Sequence, residues 1–298
     1  MRRVTHEFWP ELEVASWQDT RDTLHLWTQI VGKVRMALAP PVNHWWGVTL
    51  YVDATGLTTS LMPYRDGGLE IRFDFVAHAL VATTTRGDTR RIDLRPMPVA
   101  DFHREFDAML RALDVEVTYL PVPVELETAI PFADDTVHAS YDAEAVTRFW
   151  RSLVSADRVF SRFRAEFDGK SSPSHFFWGA FDLAVTRFSG RSAPTHPGGI
   201  PNCPDWVMHE AYRAELSSAG YWPGGASEGV FYSYAYPQPD GFAEAAVTPA
   251  AAYWDSALGE FVLPYADVRR ADDPDALLLD FLRSTAAVAA ELAEWPRA

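Results

Sequence analysis

A carboxylate set in the middle of an apolar run is the first feature of this sequence able to do chemistry. The segment Phe176-Phe177-Trp178-Gly179-Ala180-Phe181-Asp182-Leu183-Ala184-Val185 reads as a strand that is apolar on both faces except at Asp182. Once ionised, such a group needs a cation or hydrogen-bond donors, because a buried unpaired charge is strongly unfavourable. Lys170, Arg187 and Arg191 are the nearest cations along the chain, and His175 is a nearby side chain that titrates close to neutral pH. Further on, Tyr232, Tyr234 and Tyr236 share one face of a strand whose other face is Phe231, Ser233 and Ala235. Tyrosines in file offer apolar bodies with polar tips, a lining that suits a small-molecule pocket. Asp182 and His175 are therefore the expected acid–base groups, with Lys170 as an anion or carbonyl partner. Tyr232, Tyr234, Trp178, Arg187 and Lys33 are the expected substrate-binding side chains.

Other patterns match by letter and fail on context. Gly225-Ala226-Ser227-Glu228-Gly229 spells a nucleophile elbow, but an elbow needs a strand before the serine and a helix after it. Here a Pro-Gly loop precedes and a tyrosine strand follows, so a plain loop-to-strand entry is expected. Gly169-Lys170-Ser171 ends like a phosphate-binding loop, yet Arg164 stands where the first glycine belongs and the order is helix to strand. His209-Glu210, on a helix expected over 206–217, lacks the second histidine of a zinc motif because position 213 is Arg213. A metal would need His25, His44, His175, His209 or Glu210 to converge, so none is assigned. Cys203 has no identifiable base, and as the only cysteine it forms no intrachain disulfide. Arg148, Arg151, Arg158 and Arg162 read as the solvated back of a helix, with Glu144 one turn before Arg148.

Lysine is nearly absent. Of 26 Lys and Arg residues only Lys33 and Lys170 are lysine, and each follows a glycine. Arg replaces Lys easily where both are solvated charges, but not where a compact ammonium must fit. Both ammonium groups are therefore expected to be partly buried at helix-to-strand junctions. Lys170 is expected within salt-bridge reach of Asp182 or another carboxylate, and Lys33 in the corresponding scaffold contact.

The elements that must position these residues follow a recurring order. Leu24, Trp27, Val31, Val34 and Leu38 predict a helix over 20–38, stopped by Pro40-Pro41. A strand over 43–52 follows, then strands near 57–63, 69–76, 79–85 and 89–94, and a helix over 98–113. In the second half, Phe149, Leu153, Ala156, Phe160 and Phe163 predict a helix over 142–167. Strands near 175–183, 229–236, 245–254 and 260–266 come next, and a helix over 274–294. A leading strand near 115–120 or 136–141 is a further expectation. Trp46-Gly47 is expected to match Trp178-Gly179. The fold class expected is α+β: internally duplicated helix–antiparallel meander–helix halves, with a curved antiparallel sheet and helices on one face. Residues 1–135 form the scaffold half and 136–298 the second, the two packing as one unit. A Pro- and Gly-rich insertion at 189–228 is expected to roof the site.

Composition excludes several classes of function. A formal charge of −15 disfavours nucleic acid and anionic membrane surfaces, whose recognition rests on Lys and Arg. No apolar run reaches the ~20 residues of a bilayer span, and no signal peptide develops after the first residues. A cytoplasmic location is expected, and no sequence motif calls for an organic cofactor.

Longer segments carry a resemblance. They are Thr23-Leu24-His25-Leu26-Trp27-Thr28-Gln29-Ile30-Val31-Gly32-Lys33, Asn43-His44-Trp45-Trp46, Gly169-Lys170-Ser171-Ser172-Pro173, Phe177-Trp178-Gly179-Ala180-Phe181-Asp182-Leu183, Thr186-Arg187-Phe188-Ser189-Gly190-Arg191 and Phe231-Tyr232-Ser233-Tyr234-Ala235-Tyr236-Pro237. Together the chain resembles, over nearly its whole length, a bacterial domain-of-unknown-function family of proteins of about this size. The resemblance implies no activity and no site residues. The expected function is a small-molecule enzyme without a tightly bound organic cofactor, its pocket in the second half. A non-catalytic ligand-binding or regulatory module using that pocket is one alternative, and a structural or partner-binding protein is another. A deep cavity with convergent acid–base groups favours the enzyme over the binding module; buried tyrosine tips bonded to backbone, with no cavity, favour the structural role.

Overall fold

The computed structural model describes residues 7–296. The first helix, α1 (Val14–Leu38), buries Leu24, Trp27, Val31 and Val34 as their spacing requires, and stops at Ala39 before the two prolines. Six strands follow: β1 (Tyr51–Val52), β2 (Gly56–Thr58), β3 (Met62–Tyr64), β4 (Gly67–Asp74), β5 (Ala79–Thr84) and β6 (Thr89–Asp93). They form an antiparallel sheet in the order β1-β2-β4-β5-β6, with β3 also paired to β4. Helix α2 (Val99–Ala112) closes this half and buries Phe102, Phe106, Met109 and Leu110.

Helix α3 (Ala143–Ala165) opens the second half. Asp142 caps it, accepting the Glu144 and Ala145 amides. The second sheet holds β7 (His175–Phe177), β8 (Asp182–Ser192), β9 (Ala214–Trp222), β10 (Val230–Tyr236), β11 (Tyr253–Asp255) and β12 (Glu260–Pro264), in the order β11-β12-β10-β9-β8-β7. Three more helices belong here: α4 (Asp205–Ala211), α5 (Tyr265–Arg270) and α6 (Pro274–Leu292). The fold is α+β with two antiparallel sheets. Leu50 and Phe176 exchange both backbone hydrogen bonds, at 2.9 and 2.7 Å, and so join the sheets edge to edge. One continuous apolar core runs from Trp27 and Phe102 through Phe149 and Phe176 to Phe231 and Leu282.

Five sequence expectations are corrected. Residues 43–52 are not one strand: Asn43–Trp45 form a tight 3-10 turn, with His44 and Trp45 at positive φ, and extended pairing starts only at Leu50. The run 175–183 is broken by a turn at 178–181, so Asp182 opens β8 rather than ending the preceding strand. The helix expected over 206–217 stops at Ala211, and Ala214–Trp222 is strand β9 between β8 and β10. Ser217, Ser218, Ala219 and Gly220 carry no strand signal of their own; pairing on both sides imposes one. The roofing segment is therefore 193–213, shorter than expected. No leading strand forms at 115–120 or 136–141.

Residues 14–112 run helix, antiparallel strands, helix, whereas after α3 the strands are interrupted by α4 and followed by both α5 and α6. Gly47 lies in the turn before β1, whereas Gly179 lies in the turn after β7. The expected match of those two glycines is not seen, and the internal duplication is not confirmed.

Candidate functional site

Alternation along the second sheet sorts its side chains onto two faces. Leu183, Val185, Ala219, Tyr221, Phe231 and Leu263 point into the core under α3 and α6. The register aligns Ala184 with Gly220, Tyr232 and Val262, so Asp182, Thr186, Ser218, Tyr232, Tyr234 and Glu260 lie on the opposite face. That face is polar, and it is buried. Asp182 is 7% exposed, Ser218 3% and Tyr232 9%. The segment 193–213 and a stretch near Glu125 cover it.

Asp182 and Tyr232 meet although a strand separates them. The Tyr232 hydroxyl donates to Asp182 Oδ2 by lying across β9 at Gly220. A methyl group added to Gly220 would sit 2.3 Å from the Tyr232 hydroxyl oxygen and 2.5 Å from the Leu183 carbonyl oxygen. Only glycine leaves that passage open. Tyr234, stacked beside Tyr232 at 6.1 Å between ring centres, shares a hydrogen bond of 2.8 Å with the Tyr212 hydroxyl from the end of α4. Thr186 and Ser218 hydroxyls pair at 2.9 Å on the same face.

Two further carboxyls stand close enough to Asp182 for its charge to raise their pKa. Glu125 is held by its backbone: its N–H donates to Pro201 O at 2.9 Å, and the adjoining Val124 exchanges two bonds of 2.9 Å with the Gln29 amide of α1. Its carboxylate presses on Gly179, where a methyl group would sit 2.0 Å from Oε1. Glu260 opens β12 beside Tyr234. Burial pushes Asp182 up to about 6, opposed by the Tyr232 hydrogen bond. Burial, then repulsion from Asp182, pushes Glu125 and Glu260 each up to about 7. Among the described residues none of the three forms an ion pair.

The remaining candidates do not gather here. His175 is on the same face but enclosed: it is fully buried, Nδ1 lies 3.3 Å from the Thr49 hydroxyl, and Nε2 has no partner among the described residues. Burial lowers its pKa to about 3, so the ring is neutral and walled in by Trp46, Tyr51 and Phe177. Arg187 stands an odd number of residues from Asp182 and so faces the helices. It lies 3.5 Å over the Phe163 ring, donates to Phe163 O, and is lowered by burial to about 10. Trp178 is a wedge: its indole N–H donates to Val48 O at 2.7 Å and its ring fills the space that a side chain at Gly32 would need. Lys33 is 2% exposed, 5.9 Å from the Trp178 ring centre, and burial lowers its pKa.

Lys170 departs most from expectation. It is exposed, its carbonyl accepts from Phe188 N at the far end of β8, and its ammonium donates to His44 Nε2 at 3.1 Å rather than to Asp182. Six residues of strand, about 20 Å, separate Phe188 from Asp182.

Ser227 of the elbow-like motif has no base bonded to its hydroxyl among the described residues, and its carbonyl accepts from Val14 N. The neighbouring Glu228, 3% exposed, is clamped by Arg269 at 2.7 Å and Arg270 at 3.0 Å. Cys203 is pushed up to about 11 by burial and Glu125, the opposite of an activated thiol. No three His, Cys, Asp or Glu side chains among the described residues are placed to hold a metal ion. Among the described residues no helix is long and apolar enough to cross a membrane.

A family model covers residues 9–298 of this architecture, strands and roofing segment included. The chain belongs to DUF5996, a family of unknown function. No curated protein and no solved structure shows a significant match. Membership in DUF5996 therefore agrees with the resemblance carried by the quoted segments and adds no activity to it.

Sequence reasoning missed Glu125, Glu260 and Tyr212. Glu125 lies in the stretch Pro121-Val122-Pro123-Val124-Glu125, which has no periodicity to assign it a face. Tyr212 was hidden in an expected helix. Glu260 had a signal, a charge opening the strand next to the tyrosines.

Proposed function

We propose that the roofed face of the second sheet is the site of a small-molecule enzyme that works by proton transfer and needs no tightly bound organic cofactor. The observation that carries it is the Asp182–Tyr232 pair, a buried carboxyl bonded to a phenol, with Glu125 and Glu260 beside it. Groups held near pKa 6 and 7 exist in both protonation states at neutral pH, so one can take a proton while another supplies one. An ordinary carboxyl, near 4, is a poor acid at neutral pH. Tyr232 orients Asp182 and can itself donate to an oxygen that gains negative charge. Tyr212 and Tyr234 supply the apolar walls with polar tips. Among the described residues no cation pairs with these carboxyls, so a substrate bearing an organic amine is the class that suits them.

The test is a thermal-shift screen of small amines and their neutral analogues against the full chain, repeated with Asp182→Asn and Tyr232→Phe. Amines that stabilise the protein and lose that effect in both variants support the proposal, and turnover of those compounds is then assayed across pH. Stabilisation unchanged by either substitution, or no stabilising amine, overturns it.

A further inference from the structure

We propose that Lys170 is a reactive amine that forms an imine with a carbonyl-bearing ligand, with His44 as its proton acceptor. The proposal rests on the opposite end of the sheet face from Asp182 and stands independently of the acid–base site.

The first observation is how the chain divides its cations. Every ion pair among the described residues uses an arginine or His138, and neither lysine takes part. A guanidinium supplies charge and hydrogen bonds as well as an ammonium does, but it does not lose its proton and is no nucleophile near neutral pH. An exposed lysine kept in an Arg-rich chain, without a carboxylate partner, marks a task arginine does not perform.

The second observation is geometric. Lys170 Nζ lies 3.1 Å from His44 Nε2, 5.2 Å from the Trp46 ring centre and 4.8 Å from that of Phe188. His44 Nδ1 is 2.8 Å from Ala211 O. A carbonyl oxygen only accepts, so Nδ1 carries the hydrogen and Nε2 presents its lone pair to the ammonium. Ring contacts with Phe188 at 4.6 Å and Trp46 at 5.6 Å hold the imidazole in place, and His44 is 5% exposed. His44 also keeps a backbone φ of 56°, in the left-handed region that histidine, asparagine and aspartate enter more readily than other residues with a side chain. The charged groups facing the ammonium are His44 from the turn before β1, and Glu210 and Arg213 around the end of α4, which pair with each other at 3.7 Å. Desolvation first, then Arg213, lower the Lys170 pKa, and burial lowers that of His44.

The step balances without an outside oxidant or reductant. His44 Nε2 takes one proton from the Lys170 ammonium. The freed amine nitrogen bonds to the carbonyl carbon, and the carbonyl oxygen receives the proton from His44 to give a carbinolamine. Loss of that hydroxyl with a proton as water leaves the protonated imine, so one ammonium and one carbonyl compound become one iminium and one water. Trp46 and Phe188 stack against the iminium as they do against the ammonium.

The scarcity of lysine makes the experiment clean. The full chain is treated at pH 7 with benzaldehyde and sodium cyanoborohydride, and the adducts are mapped by peptide mass spectrometry. The expected result is an adduct at Lys170, formed about tenfold or more faster than on a blocked lysine model compound. Lys33, being buried, stays unmodified, and the N-terminal amine serves as an internal reference. Lys170→Arg removes the adduct. His44→Asn keeps a residue that tolerates positive φ and can still accept a hydrogen bond, but takes no proton. It should lower the Lys170 rate to that of the model amine in a variant that circular dichroism shows to be folded. A Lys170 rate equal to the model amine in the native protein, or one unaffected by His44→Asn in a folded variant, overturns the proposal.

Discussion

Replacing Asp182 by asparagine should change stability in a pH-dependent way whose sign follows from its burial. The folded-state pKa is raised from 3.8 to about 6, so between those values the native carboxyl keeps a proton that the unfolded chain has released. Its contribution therefore worsens as pH rises through that window and is constant above about 6. The displacement corresponds to about 3 kcal/mol of destabilisation by the ionised group at pH 8. Asparagine keeps an oxygen for the Tyr232 hydroxyl and carries no charge, but its amide hydrogens lack an acceptor, which costs about 1 kcal/mol at any pH. The variant should thus be about 1 kcal/mol less stable than the native protein at pH 4, and about 2 kcal/mol more stable at pH 8. Glu125 and Glu260 lose a repelling neighbour, which acts in the same direction at high pH. Urea unfolding at pH 4 and pH 8 reads the difference directly. At pH 8 the variant should also melt about 4 °C higher. A residue that lowers stability yet is placed with such care fits a site under functional demand. An Asp182→Asn protein with the same stability difference at both pH values would refute the account of a desolvated carboxyl.

His175 acts in the opposite sense. Its folded pKa is lowered to about 3, so stability is intact above the ordinary histidine value and falls as pH drops below 6.5. In a His175→Gln variant the loss between pH 6.5 and 5, followed by chemical denaturation, should be smaller by about 2 kcal/mol. Gly220→Ala should cost about 3 kcal/mol by melting, because the new methyl meets the Leu183 backbone as well as the tip of Tyr232. Glu228→Ala should cost about 3 kcal/mol or more, since it leaves Arg269 facing a buried gap; calorimetry would measure it. Protein purified without added metal should contain none in stoichiometric amount by elemental analysis, and dialysis against a chelator should leave its melting temperature unchanged.

Much of the fold is legible along the chain wherever a periodic apolar pattern spans several turns or strand pairs. Phe149, Leu153, Phe160 and Phe163 define α3 within a few residues, and the alternation of Leu69, Ile71 and Phe73 defines β4. Asp182 and the tyrosine row are equally visible, because a charge in an apolar strand and aromatics at every second position are local facts. What local pattern does not carry is pairing. Residues 214–222 become a strand only because β8 and β10 lie on either side, and 43–48 turn before pairing begins at the Leu50–Phe176 bridge.

By itself, then, the sequence determined the four long helices, most strands of the sheets, and the residue types available for chemistry. Side-chain period and composition are properties of neighbours in the chain. Tertiary structure alone decided which of those residues meet. Lys170 and Asp182 look like partners along the chain, yet an extended strand carries Phe188, beside Lys170, about 20 Å from Asp182. Arg187 and Asp182 fall on opposite faces because an odd number of residues separates them. Glu125, from a stretch without pattern, reaches Asp182 because Gln29 grips the backbone beside it and Gly179 leaves room for its carboxylate. Convergence of that kind depends on how the layers pack, and packing is a property of the whole chain.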